Sequence, residues 1–313
     1  MANTAVEGCR NLFNHFLGRL YFMGEMKVRD FSLEHTLECG QVFRWKRLDS
    51  EDGGGKFSGL IGNTPVKVWQ NGKHLYWESY RNKSDREKLR NYFSLDENLQ
   101  KILNEINVDG HINKAIQQYW GLRLIRQQPW ECLLGYVCSP RTKIAHISKS
   151  LDLIAENFGE KVEFQGKEFF TYPEPEALSD VVPKSLKKKC SLKTFKLANY
   201  IVHTAKKIVK EKIDLEGMKK IPYEEAHAEI KNFLGVGPKV ADCVCLFSLE
   251  KTEAFPIDVW VKRLMDEFYI GKKSAGKNLT EKNYWELGDF AREKFGDYAG
   301  YAQEYLYYFY RKK

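Results

Sequence analysis

An amine and a carboxylate dominate the chemistry this chain could do. Lys239 directly follows Leu234-Gly-Val-Gly-Pro238. Asp258 returns nineteen residues later, after Pro256-Ile257 and before Val259-Trp-Val-Lys-Arg-Leu264. A free amine is a nucleophile, and a carboxylate can serve as its charge partner. Lys239 falls in the first turn of an expected helix, where the positive end of the dipole disfavours the ammonium and makes the amine more available. Two plainer readings stand beside this one. The lysine could only touch phosphate, and Asp258 could be a simple N-cap. One aspartate can serve both purposes.

The elements that position these groups are a pair of helices. Tyr223 to Phe233 reads as one helix, Leu234-Gly-Val-Gly-Pro238 as a turn, and Lys239 to Leu249 as the next. Gly235 and Gly237 are expected to take backbone angles that other residues resist. Their amides, with the second helix's N-terminus, form an anion site suited to a DNA phosphate. Such a clamp reads no base and serves any duplex.

Composition sets the wider bounds. With 313 residues, two or three structural units are expected, and 43% hydrophobic residues suffice for a substantial core. A net charge of +8 is a mild argument for a polyanionic partner. From Val181 to Lys210 there are nine lysines and no acidic residue, with Lys184, Lys187, Lys188, Lys189, Lys193 and Lys196 crowded into the first half. A solvated face and a nucleic-acid surface account for this stretch about equally, given the interleaved Phe195 and Tyr200. The seven cysteines are odd in number and fit free thiols in a reducing compartment. No pair of Cys-x-x-Cys elements occurs, and no cysteine follows Cys245. This excludes a zinc ribbon or a C-terminal iron–sulfur loop, and no metal or cofactor is expected. No apolar run reaches the length of a membrane span.

The order of elements reads as α+β: an N-terminal antiparallel sheet followed by a helical body. Residues 1–25 form an extension, in which Leu12, Phe13, Phe16, Leu17 and Leu20 recur at helical spacing. Residues 26–117 form an antiparallel β domain with two helices. In it Val66-Lys-Val-Trp-Gln70 and Lys73-His-Leu-Tyr-Trp77 flank Asn71-Gly72, a type I′ hairpin signal. Residues 118–313 form the helical core, including the helix–hairpin–helix over 223–249. Helical spacing also predicts segments around 112–125, 143–157, 194–210, 258–268, 280–294 and 297–310, with an irregular loop over Gly159–Phe170.

The sequence resembles the helix–hairpin–helix DNA glycosylases, the superfamily of endonuclease III. More narrowly, it resembles the 8-oxoguanine DNA glycosylase/AP lyases, over about residues 28 to 310. The resemblance is carried by Glu38-Cys-Gly-Gln-Val-Phe-Arg-Trp45, Leu122-Arg-Leu-Ile-Arg-Gln-Gln-Pro129, the hairpin through Asp258, and Phe295-Gly-Asp-Tyr-Ala-Gly-Tyr-Ala-Gln303. It implies an enzyme that flips a damaged base out of the duplex, displaces it and nicks the strand by β-elimination. Lys239 would be the nucleophile that forms a Schiff base, and Asp258 would assist it. Gly40 matches the glycine whose carbonyl accepts from N7–H of 8-oxoguanine, a hydrogen that guanine lacks. Gln303 matches the amide that reads the Watson–Crick edge. Tyr307, one turn on, would stack on the base, and Cys243, one turn after Lys239, would pack on its other face. Cys243 could equally be a small buried hydrophobe, Gly40 a turn glycine, and Tyr136, matching a pocket aromatic, a core residue.

The match departs from the family in three places. After Cys138-Ser139 the chain has Arg141 and His146 where asparagine and arginine would hold the orphaned cytosine. Phe195, with Lys196 as its rival, is the residue expected to fill the vacated stack. Trp260 replaces a histidine. The implied substrate is double-stranded DNA containing 8-oxoguanine, handled by a monomer inside the cell where the DNA is, with no membrane. Other readings are a sister glycosylase for another damaged base, or a non-catalytic DNA-binding protein.

Overall fold

The computed structural model describes residues 21–48, 55–80, 85–271 and 279–312. Most of the expected N-terminal extension therefore lies outside the described residues. Its end does not: Tyr21–Lys27 is the first strand, β1, rather than part of an appendage. β2 (Lys46–Leu48), β3 (Lys56–Ile61), β4 (Thr64–Asn71) and β5 (His74–Tyr80) complete an antiparallel sheet in the order β1-β5-β4-β3-β2. Alternation along the strands turns Val66, Val68, Leu75 and Trp77 inward, against Phe57, Leu89 and Phe93. Gly24 pairs with Trp77 across β1 and β5, and a Cβ there would lie 2.2 Å from the indole. The β4–β5 hairpin forms one residue later than expected. Asn71 pairs with His74, so Gly72 and Lys73 make the turn, with Gly72 at φ +55°.

The helical body follows, with the architecture that the residue pattern predicts. Its larger core gathers Leu99–Ile106 and Gly110–Gln118 with the helices nearer the C-terminus. Two expectations are corrected. The helix expected over 112–125 ends at Gln118. Gly121 adopts φ +89° and its carbonyl accepts from Ser32 N at 2.8 Å. A Cβ there would meet Ser32 N at 2.7 Å, so the chain leaves the helix to pass against backbone. The irregular loop over Gly159–Phe170 is instead a hairpin of Lys161–Phe164 and Lys167–Phe170. It turns through Gln165 and Gly166, both at positive φ. The six-residue helix Leu33–Glu38, capped by Ser32, is too short to show a period in sequence. Among the described residues, no helix is long and apolar enough to cross a membrane.

Candidate active site

The two hairpin helices are Tyr223–Lys231 and Pro238–Ser248. Gly235 sits at φ +82°, and a Cβ there would lie 2.2 Å from the Tyr200 ring, so glycine is required twice over. Gly237 corrects the sequence reading. As N-cap of the second helix it has φ −96° and ψ 177°, which any residue can adopt. What it offers is room: nothing lies within 4 Å of where a Cβ would be. The bare turn can meet another chain closely there.

From Val240 to Ser248 the second helix is buried, which fixes the outlook of its first turn. Asp242 anchors it, accepting from Tyr223 Oη at 2.6 Å and from Tyr284 Oη. Tyr284 Oη in turn accepts from Ile257 N at 3.3 Å, one residue before Asp258. Burial raises Asp242 and lowers His227, so their 3.8 Å approach joins two groups that burial drives toward their neutral forms. The hydrogen-bonded chain couples the helix carrying Lys239 to the segment carrying Asp258.

Lys239 Nζ lies 4.9 Å from the centroid of Tyr136. That ring stacks on Phe247 at 5.7 Å and donates its hydroxyl to the Gln41 carbonyl at 3.2 Å. Cys243 lies on the same helix face as Lys239. Burial pushes its thiol up to about 12, against the pull of the neighbouring Lys239, so it is a neutral thiol at neutral pH. Asp258 caps Val259–Met265, accepting from Trp260 N and Val261 N, each at 2.8 Å and both through Oδ1. Capping thus leaves Oδ2 unused. The N-cap task is thus filled, and Asp258 also lines the cavity that holds Lys239.

Gly40 enters the same site from the other end of the chain. It adopts φ +113°, and a Cβ would lie 2.7 Å from Arg311 Nη1 and 3.3 Å from Ile144 Cδ1. The next residue holds it there. Gln41 is buried, donating to the carbonyls of Thr36 (2.9 Å) and Arg123 (2.8 Å) and accepting from Ile125 N (2.8 Å). Two of the matched motifs are therefore bound to each other.

These residues share a cavity of about 930 Å³, lined by Gly40, Phe43, Tyr136, Arg141, Gly235, Gly237, Lys239, Cys243, Asp258, Trp260, Gln303 and Tyr307, among others. Gln303 is buried and its Oε1 has no hydrogen-bond partner. Arg311 Nη1 donates to Tyr307 Oη at 3.1 Å, and burial pushes that phenol up to about 12. Among the lining residues that escaped the sequence reading are Glu304 and Arg311, on the helix Ala299–Lys312 that carries Gln303. Spacing of one and eight residues from Gln303 was the only signal for them. His146, Phe195 and Lys196 are not brought to the cavity. Arg141 is at its exposed rim with φ +55°, and its carbonyl accepts from Lys193 Nζ. Phe195 is 52% exposed at the start of Phe195–Glu211, and Lys196 stands over the Tyr200 ring at 5.6 Å. Among the described residues no group of three His, Cys, Asp or Glu side chains could hold a metal ion.

A helix–hairpin–helix beside a cavity holding an amine and a carboxylate defines a class of DNA glycosylases, and comparison with known proteins agrees. Residues 25–133 match the model for the 8-oxoguanine DNA glycosylase N-terminal domain. Residues 134–289 match the HhH-GPD superfamily base excision DNA repair protein model. The chain is 28% identical to a probable N-glycosylase/DNA lyase of Methanothermobacter thermautotrophicus, covering 90% of this chain and 93% of that one. It is 29% identical to an Arabidopsis thaliana N-glycosylase/DNA lyase, covering 92% and 79%. It is also similar to a Clostridium acetobutylicum 8-oxoguanine glycosylase/lyase solved with double-stranded DNA containing cytosine opposite the lesion. That likeness has a TM-score of 0.82 and 32% identity over 93% of this chain and 98% of the other. The chain belongs to the HhH-GPD superfamily and, within it, to the 8-oxoguanine DNA glycosylases.

Proposed function

We propose that this protein excises 8-oxoguanine from double-stranded DNA and then nicks the strand at the vacated sugar. The observation that carries the reading is the meeting, in one cavity, of Lys239 and Asp258 with Gly40 and Gln303. The duplex backbone rests on the hairpin turn at Gly235 and Gly237, and the base swings into the cavity. Lys239 Nζ bonds to the sugar C1′ as the bond to the base breaks. The electron pair leaves with the base, which takes up a proton. The Asp258 carboxylate balances positive charge that develops on the sugar. Opening of the sugar ring leaves an imine, and loss of a C2′ proton then expels the 3′ phosphate.

Recognition rests on Gly40 and Gln303. A carbonyl aimed at N7 accepts from the N7–H of the oxidised base but faces a bare acceptor in guanine. Tyr307 and Cys243 enclose the base from opposite faces, with Tyr136 behind them. Arg141 and His146 donate to the orphaned cytosine, and Phe195, with Lys196 beside it, fills the gap in the stack. The protein works as a monomer, inside the cell with the DNA.

The test is borohydride trapping on a duplex carrying one 8-oxoguanine. Wild-type protein is expected to give a covalent adduct, and Lys239→Gln is expected to give none above background. An adduct at wild-type yield from that variant removes Lys239 as the nucleophile. A lesion strand left intact by wild-type protein removes 8-oxoguanine as the substrate.

A further inference from the structure

We propose that Glu304 is a second base-reading residue, sharing with Gln303 the N1–H and 2-amino donors of a guanine-type base. The inference rests on the reading of function above. Gln303 and Glu304 are consecutive on the C-terminal helix, both line the cavity, and they are 4% and 2% exposed. Each has a side-chain oxygen, Oε1, that is buried with no hydrogen-bond partner. A buried acceptor without a donor is costly, so two of them at one cavity point to a ligand that brings donors.

The edge of the base supplies them. Guanine-type bases carry two adjacent donors there, N1–H and the 2-amino group. Adenine-type bases have an acceptor at N1, which would face these oxygens unfavourably. Glu304 is also held in place. Cys39, next to Gly40, lies beside it with its thiol turned to the Thr36 carbonyl, and the Arg311 guanidinium offsets the charge of Glu304. Desolvation raises its carboxyl to about 7. Neither protonation state removes its capacity to accept.

The experiment removes the group on each side of the interaction. Single-turnover base release is measured on duplexes with 8-oxoguanine or 8-oxohypoxanthine, the same lesion without its 2-amino group. Each rate is divided by the same protein's rate of nicking a preformed abasic site, which corrects for misfolding. In wild type, removal of the 2-amino group leaves one acceptor unpaired and is expected to slow release about tenfold. In Glu304→Ala, Gln303 still takes N1–H, and the two lesions are expected to be released at similar rates. Glu304→Met, which fills the volume without an acceptor, is expected to behave the same way, and Glu304→Gln to restore the difference. If wild type is active on 8-oxoguanine and both acceptor-free variants are slowed by the same factor as wild type, Glu304 does not read the base. If wild type leaves 8-oxoguanine in place, the reading of function fails and this inference with it.

Discussion

At the scale of single residues, the site is economical with its carboxylates. Asp258 caps the start of a helix with one oxygen, and the proposed mechanism uses its charge. The two tasks can be separated. Asn caps as well as Asp, so Asp258→Asn should change unfolding free energy by no more than about 0.5 kcal/mol, whereas Asp258→Ala should cost about 1 kcal/mol. Both should slow base release by about a hundredfold or more, because neither has a charge to set against the developing cation. Urea unfolding and single-turnover cleavage check the pair. Full activity in Asp258→Asn would reduce Asp258 to a cap. Lys239 and Asp258 were legible because each sits at a helix start, announced by its own neighbours. Glu304 was not legible. An acid in Tyr301-Ala-Gln-Glu-Tyr305 looks like any helical glutamate until the fold seals it beside Cys39.

At the scale of elements, the hairpin divides between a glycine that shapes the turn and one that leaves it bare. Gly235→Ala places a Cβ at φ +82° and against the Tyr200 ring, and should cost about 2 kcal/mol or more. Gly237→Ala meets nothing in the protein and should cost no more than about 1 kcal/mol as a poorer N-cap. It should still weaken binding to an abasic-site duplex, since the added methyl stands in the open space where the proposed function seats the strand. Urea unfolding and fluorescence anisotropy separate the two variants. If both destabilise equally, the open space at Gly237 is not what that glycine provides. Sequence marked this turn but could not tell the glycines apart, because φ at the second depends on how the next helix docks. The same limit explains the Gly159–Phe170 hairpin. Two four-residue strands carry too few alternations to be seen.

At the scale of the molecule, a sheet with its own core stands beside a helical body whose core runs behind the cavity. The lysine-rich stretch is folded into this plan. Pro183–Lys189 buries Leu186 and exposes Lys184, Lys187, Lys188 and Lys189, while Lys193 bonds to the Arg141 carbonyl at the cavity rim. Replacing those four lysines by Gln should weaken duplex binding and reduce the salt slope of log K by about 0.9 for each phosphate no longer neutralised. An unchanged slope over a salt titration would make the run a solvated face. Sequence by itself determined the α+β order, the hairpin and the positions of Lys239 and Asp258 at two helix starts, because each is a local pattern written in neighbouring residues. Tertiary structure alone decided that Gln41 ties the Gly40 loop to Arg123 and Ile125, that Gly40 faces Arg311, and that Glu304 closes the cavity beside Gln303. The two bonds of Gln41 alone join residues 82 and 84 positions apart. Burial and hydrogen bonding across such distances depend on how the two cores pack, which no local pattern records.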